Sequence, residues 1–301
     1  MIDAIEYVVH RGGQVLALAA DKNVAERNAW HLKGIKGNGM PPATALGEAS
    51  HGLPGKSYGG LSVGRRSIDI ELYADGFIPA SCQAMLSDAS RIVSTDNDAL
   101  GYLRLMNSAG DWYRIAAKAT DFDVSKSYRR AALVSMALDC PYTYFEDDTL
   151  HQVPIFSVGG GKEYPVETGG LERPYKFGDI VAGTGAQTVL VENAGDVAAP
   201  CVLRLFGAGL TSVEAVNVTT GASIGVSGMS VGGVEICTDS DNLYARFEDG
   251  TDASEYVSLY SYISDFVLVP GVNEIRVSME ASSVTAAGTR IEWRGRYTTC
   301  L

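Results

Sequence analysis

The stretch Ala131–Asp148, AALVSMALDCPYTYFEDD, constrains the fold more than any other. An alternating β-strand runs through it into Cys140-Pro141. Pro141 has no N–H to give a sheet ladder and biases Cys140 away from helix, so the strand stops there. The segment lies near the midpoint of the chain, just before a change in composition, and reads as the closing strand of a first domain. Tyr142, Tyr144 and Phe145, which follow, require cover, most simply from the edge of that domain or from the link to a second.

A chain of 301 residues holds two domains of ordinary size. We place them at 1–150 and 151–301. In the first, Ala4–Val9 and Gln14–Leu18 read as strands joined by a turn at Arg11-Gly12-Gly13. Gly34 to Gly64 is rich in glycine and proline and keeps no period, which predicts an extended loop or a long hairpin arm. Strict alternation returns at Arg66–Tyr73, with Ile68, Ile70 and Leu72 facing a core and Asp69 and Glu71 facing water. One helix is expected over about Cys82–Val93, capped by Ser81, with Leu86, Ala89, Ile92 and Val93 on one stripe. Strands at Leu100–Met106, Trp112–Lys118 and Ala132–Cys140 complete an α+β domain, with Asn107–Asp111 as a turn.

After a polar link at about 159–185, the second half shows only short strands and turns. The expected strands are Thr188–Glu192, Cys201–Phe206, Ala215–Asn217, Val234–Thr238, Tyr256–Ser258, Phe266–Val269, Asn273–Ser278 and Arg290–Arg296. Turn signals such as Asn193–Asp196 and Pro270–Asn273 separate them. The pattern argues for an antiparallel β-sandwich of jelly-roll type, so the protein as a whole is mainly β.

Charge narrows the function. The net charge is −12, with 24 basic residues against 36 acidic ones. Such a body repels nucleic-acid phosphate and anionic lipid, and its basic clusters are only the pairs Arg65-Arg66 and Arg129-Arg130. Val15–Ala20 is too short for a signal core or a membrane span, so neither export by the general route nor membrane insertion is expected. Cys82, Cys140, Cys201, Cys237 and Cys300 are widely spaced, without a Cys-x-x-Cys pair, and read as reduced residues that pack as small apolar groups.

Motifs for chemistry fail one by one. Ser50–Ser57 nearly fits a phosphate-binding loop but lacks the first glycine and a helix after it. His10, His31, His51 and His151 have no metal-ligand spacing. No Gly-x-Ser-x-Gly elbow is present. The acidic clusters Asp96–Asp98, Glu146–Asp148, Asp239–Asn242 and Glu248–Asp252 lack the EF-hand register and read as solvated turns, although the last two could offer oxygens to calcium. Tyr244, Phe247, Tyr256, Tyr260, Tyr262, Phe266 and Trp293 could stack on sugars, but a sandwich core needs most of them. No catalytic, cofactor-binding or metal-binding residues are assigned, and no cofactor is expected.

Several segments in fixed order carry a resemblance. They are the arm from Pro54-Gly55 to Gly64, the alternating strand Arg66–Leu72, and the strand Leu133–Phe145 ending in Cys-Pro and aromatics. In the second half they are Val191–Pro200, Val218–Ile224, Gly233–Asp239, Phe266–Asn273 and Ile291–Tyr297. Together they resemble the distal tail protein family of long-tailed bacteriophages with non-contractile tails, over nearly the whole chain. The acidic, alanine-rich first half and the link at 159–185 depart from the family pattern.

The resemblance implies a ring-forming first domain and a galectin-like or jelly-roll second domain. It also implies a non-enzymatic virion protein, a hexameric hub between the tail tube and the tip or baseplate. Its partners would be further copies of itself, the tail tube protein, a tail-tip or lysin-type protein and a receptor-binding protein, with assembly in the host cytoplasm. DNA would pass such a ring without tight binding, with Asp69, Glu71, Asp96 and Asp98 as candidates for the lining. The alternative is a carbohydrate-binding accessory protein whose β-sandwich contacts host cell-wall sugars.

Overall fold

The computed structural model describes residues 2–9, 14–19, 29–46, 60–93, 100–155, 185–284 and 288–300. The chain divides into two compact units, Met1–Thr149 together with Arg296–Leu301, and Leu150–Gly295. Both are antiparallel β-structures, so the mainly-β architecture holds.

The strands of the first unit are β1 (Ile2–Val9), β2 (Gln14–Ala19), β3 (Ala29–Lys36), β4 (Ala43–Leu46), β5 (Gly60–Val63) and β6 (Arg66–Asp75). Helix α1 (Pro79–Val93) follows, then β7 (Gly101–Asn107), β8 (Trp112–Ser127), β9 (Ala131–Cys140) and β10 (Phe145–Asp147). The main sheet has the order β2-β1-β7-β8-β9-β6-β3, while β4 and β5 form a separate two-stranded hairpin. Strand β8 serves two neighbours in turn: Trp112–Ala117 pair with β7, and Lys118–Ser127 pair with β9. The sequence reading stopped this strand at Lys118. It runs on because β9 supplies a partner, through bulges at Thr120 and Ser125, whose hydroxyls donate to Ala137 O and Leu133 O.

Alternation does what was expected at the centre of this sheet. Ile68, Ile70, Leu72 and Ala74 on β6, and Val134, Met136 and Leu138 on β9, are buried against α1 and the facing strands. Truncating one of these leucines or isoleucines to Ala costs about 2–5 kcal/mol. The helix begins three residues earlier than expected. Its cap is Ile78, with Pro79 at the first helical position, where a missing N–H costs nothing. Ser81 is therefore not the N-cap. It sits at the third position and bonds back to the cap residue: its hydroxyl accepts from Ile78 N–H and donates to Ile78 O. Cys82 joins Ala89 and Val93 on the buried stripe, with Leu86 and Ile92 at its margin.

The second unit contains β11 (His151–Pro154), β12 (Gly185–Asn193), β13 (Ala199–Asn217), β14 (Ser223–Cys237) and β15 (Tyr244–Phe247). It continues with β16 (Val267–Leu268), β17 (Gly271–Glu280), β18 (Ser283–Val284) and β19 (Arg290–Trp293). The expected strands Cys201–Phe206 and Ala215–Asn217 are the two ends of β13, a single 19-residue strand with bulges between Phe206 and Ser212. Its first half pairs with β19 and its second half with β17, while β14 follows it along its length. Val234–Cys237 is the end of this longer β14. Tyr256–Ser258 is not a strand, since Ser254–Tyr256 form a 3₁₀ turn. The strand β15 was not foreseen. Arg290–Arg296 is split: β19 ends at Trp293, and β20 (Arg296–Tyr297) pairs with β10 in the first unit.

Three buried asparagines close the turns of the second unit. Asn193 Nδ2 donates to Val197 O and Leu268 O, Asn217 Nδ2 to Val267 O, and Asn273 Nδ2 to Val269 O and Gly271 O. Each amide meets backbone groups that would otherwise be buried without partners. The five cysteines are free and buried. Burial pushes the thiols of Cys140 and Cys201 up to about 12 and that of Cys300 up to about 11, so they stay protonated at neutral pH.

Candidate assembly surface

Strands β3, β6, β9 and the second half of β8 make a four-stranded sheet whose inner face is the core. Its outer face is wet. Paired positions form rows across it: Lys36, Asp69, Ala137 and Asp121 in one, and Gly34, Glu71, Ser135 and Asp123 in the next. Lys33, beside Gly34 at a bulge, reaches Glu71 at 3.6 Å. Further rows hold His31, Tyr73, Leu133 and Lys126, and then Ser67, Asp139 and Lys118. Acidic and basic residues therefore almost balance, with small neutral side chains down the centre. Asp69 and Glu71 stand on this face as the sequence predicts, while Asp96 and Asp98 lie outside the described residues. The partners Lys33, Lys36, Asp121 and Asp123 were not foreseen, although the alternation Asp121-Phe122-Asp123-Val124 carries the signal.

Among the described residues both sides of this sheet end in edges without a ladder partner, although β2 lies beside β3. Among the described residues β3 pairs only with β6, and Lys118–Ser127 pair only with β9. Alternate residues of the eight in β3 and of the ten in β8 thus turn backbone N–H and C=O groups to the outer edge.

The arm leaves the sheet beside β3 and β6. Its described part is the hairpin Ala43–Leu46 with Gly60–Val63, closed at its root by Gly64 N–H donating to Pro42 O. The reading as a long hairpin arm is correct for these residues, although Gly34–Lys36 belong to β3. Ser50–Ser57 and His51 fall outside the described residues. The root is held by Arg66, whose side chain is buried. Its guanidinium donates to Gly37 O at 2.7 Å, Gly39 O at 2.5 Å, Thr143 O at 3.0 Å and Thr298 O at 2.8 Å, and lies 4.6 Å over the Phe145 ring. No carboxylate among the described residues pairs with it, and burial lowers its pKa. Gly37 has φ +85°, and a Cβ there would fall 2.0 Å from Ser67 O, so only glycine brings these carbonyls to the cation. Phe145 is covered inside the first unit, which answers the question raised by the aromatic cluster.

A row of charges crosses the other part of the unit. Glu6, Arg104, Arg114, Glu146 and Arg296 stand directly opposite one another on β1, β7, β8, β10 and β20. Arg104 binds Glu6 through Nη1 at 2.5 Å and Asp148 through Nε and Nη2, while Arg114 and Arg296 bind Glu146. The cluster Glu146–Asp148 is thus a set of cross-strand partners, not a solvated turn.

In the second unit Glu235 and Glu292 are nearly buried and saturated. Glu235 takes Arg204, Arg246 and the Tyr244 hydroxyl, and Glu292 takes Arg204 at 2.9 Å and Arg290 at 2.6 Å. Burial alone would raise the Glu292 carboxyl, but hydrogen bonds from Arg290 and Arg204 outweigh it and hold it below the usual carboxylate range. A general acid requires the opposite shift. Asp249 and Asp252 accept hydrogen bonds from Thr251 and Ser254, and Asp239 from Asp241 N–H, as local turn closures. Of the aromatics, Phe266 and Trp293 are core, His151 stacks on Trp293, and Phe247 meets Tyr256 edge to face. Tyr260 and Tyr262 project into solvent. His31 lies near Tyr73, and His10 is outside the described residues.

No family model matches this chain, and no curated protein matches it. Solved structures do. The fold is shared with chains from phage adsorption and baseplate structures. In particular, the crystal structure of the SPP1 Dit (gp 19.1) protein, a paradigm of the hub adsorption apparatus in phages infecting Gram-positive bacteria, matches over 97% of this chain and 98% of that one. Its TM-score is 0.61 at 12% identity. A chain of the phage P2 baseplate in its activated conformation with Ca matches with TM-score 0.54 and 10% identity, covering 99% of each chain. The same baseplate with Sr gives 0.50 and 11%, covering 97% of each. At these identities the likeness is one of fold.

Proposed function

We propose that this chain is a structural, non-enzymatic component of a phage tail, a hub that joins the tail tube to the tip or baseplate. Copies meet edge to edge, β3 of one beside the second half of β8 of the next, and close into a ring of six. Cyclic closure consumes both edges and leaves no heterologous surface to start a fibre. The observation that carries the reading is the four-stranded sheet with two unused edges and a nearly neutral outer face. A ring built this way lines its channel with that face, and no basic surface retains DNA in passage. The described fold of the SPP1 and P2 chains supports the same role, with the tail tube, a tip protein and a receptor-binding protein as neighbours, in a virion assembled in the host cytoplasm.

Cross-linking tests the edges. Cysteines placed at Lys33 on β3 and Asp123 on β8, treated with a flexible bis-maleimide, should give a ladder that ends at six copies. Intramolecular products alone would contradict edge-to-edge closure.

A second reading concerns the second unit. Leu259, Tyr260 and Tyr262 are 94%, 90% and 70% exposed. They stand on a loop anchored by Ser258 N–H to Gly225 O and by Gly225 N–H to Ser261 Oγ. Aromatic faces held in this way suit stacking on sugar rings of a host cell wall. Pull-down of the full chain by purified cell-wall polysaccharide, lost in Y260A/Y262A, would support a receptor role; equal retention of the variant would remove it.

A further inference from the structure

At one end of the four-stranded sheet the β8–β9 turn faces the link between β6 and α1. Between them lies an open cleft of about 410 Å³, walled by Tyr73, Phe77 and Tyr128 and rimmed by Asp75, Arg129 and Arg130. Its shape is set by backbone. Tyr128 N–H donates to Ala131 O across the turn, and Gly76 N–H donates to Arg130 O, which staples the turn to the link. Gly76 is buried, and a Cβ there would lie 2.6 Å from Cys82 N, so glycine is required for the two segments to meet. A partner entering a cleft fixed in this way orders little of the host.

The lining is rich in exposed aromatic side chains and arginine. Tyr73, Phe77 and Tyr128 are 37%, 54% and 60% exposed. Aromatic residues and arginine are the types that carry binding energy at protein interfaces. The charges add direction. Arginines in the charged rows of both units sit on carboxylates, and Arg66 sits on carbonyls. Arg129 and Arg130 are exposed and have no ion pair among the described residues, on a chain whose net charge is −12.

We propose that this cleft docks an extended acidic segment of another protein. Carboxylates of the segment meet the Arg129 and Arg130 guanidiniums, and an apolar or aromatic side chain beside them lies between Tyr73 and Tyr128. Asp75 on the opposite lip repels a second carboxylate and fixes the direction of the segment. A nucleic-acid strand fits worse: it carries a phosphate at every nucleotide, so those beyond the two arginines would meet Asp75 and the negative field of the chain, whereas a peptide can confine its carboxylates to the arginines. The cleft holds two or three side chains, not a helix. The inference does not depend on ring closure, because the cleft is complete within one copy.

The test is anisotropy of a labelled peptide, acetyl-Asp-Phe-Glu-Leu-Asp-Phe-amide, titrated with the full chain at about 0.15 M salt. Controls are the same peptide with lysine at every acidic position, and a labelled oligothymidylate. The acidic peptide should bind, with affinity falling on added salt. R129E/R130E should weaken it by roughly tenfold or more, and Y128A by about fivefold. The turn is exposed, so thermal melts of these variants should overlay that of the parent; if the reversal disturbs folding, R129Q/R130Q replaces it and should weaken binding in the same direction. Absence of binding, equal binding of the lysine peptide, unchanged affinity in the folded arginine variants, or tighter binding of oligothymidylate would each overturn the proposal.

Discussion

Arg66 in the first unit and Arg204 in the second are both held at the heart of a sheet, by opposite means. Arg66 is a buried cation served, among the described residues, by the Phe145 ring and by neutral carbonyls from three distant segments: the arm root, the residue after Cys140-Pro141-Tyr142, and the last residues of the chain. Arg204 shares two nearly buried carboxylates with Arg246 and Arg290, each on an adjacent strand. The first arrangement ties loops together where the sheet ladder cannot, while the second reinforces strands that are already paired. Loss at Arg66 should therefore be felt in the arm and in assembly. Loss at Glu235 or Glu292 should stay within the second unit.

The largest effect is expected for Arg66→Met. It leaves four carbonyls without their donor and should cost the first unit about 3–5 kcal/mol, with faster exchange of the Gly64 amide, which donates to Pro42 O at the arm root. Hydrogen exchange resolved by segment reads this directly. Little change there would mean that water replaces the guanidinium, and the arm root is not held as described.

Next in size, Glu292→Gln should destabilise the second unit by about 2 kcal/mol, while exchange of the Gly64 amide at the arm root is unchanged. Acid sharpens the contrast. The Glu292 carboxyl is held below its ordinary 4.5 in the folded protein, so its contribution is present above that value and is lost as the pH falls through the folded value. Arg66 stays charged, and carbonyls do not titrate, so its contribution is unchanged over the same range. Exchange measured stepwise from pH 6 to about pH 3 should show the β13–β14 region loosening while the contacts of Arg66 persist. The reverse order would undo the comparison.

A smaller change in stability, but a clear one in assembly, should follow replacement of residues 43–63 by two glycines. Pro42 and Gly64 are already joined by a hydrogen bond, so the sheet should keep its melting temperature to within a few degrees. If the arm clasps a neighbouring copy, association should weaken; assembly of unchanged stability would make the arm a passive loop. The least effect is expected with double-stranded DNA, which the assembled protein should not retain near 0.15 M salt.

Much of the first unit was legible because its central strands alternate: Ile68, Ile70 and Leu72 point to the core with no competing signal. The second half of β8 was not, since Thr120 and Ser125 interrupt the period and its extension depends on a partner far along the chain. Likewise Cys201–Phe206 and Ala215–Asn217 read as two strands because Gly207, Ala208 and Gly209 break the pattern where β13 bulges. Arg66 was visible only as one of a basic pair. Its role needs Gly37, Gly39, Thr143 and Thr298 brought together, and no spacing in the sequence announces that. On the outer face, Asp69 and Glu71 followed from alternation alone, whereas the lysines that nearly neutralise them come from β3, whose end runs into the glycine-rich stretch beginning at Gly34.

The central claim is closure through the edges of β3 and β8. Native mass spectrometry of the full chain, at micromolar concentration and moderate salt, tests it most directly. The account predicts a dominant species of about 191 kDa, six copies of the 31.9 kDa chain, that is lost when β8 is blocked by Val124→Pro. A 31.9 kDa species at every concentration would contradict it.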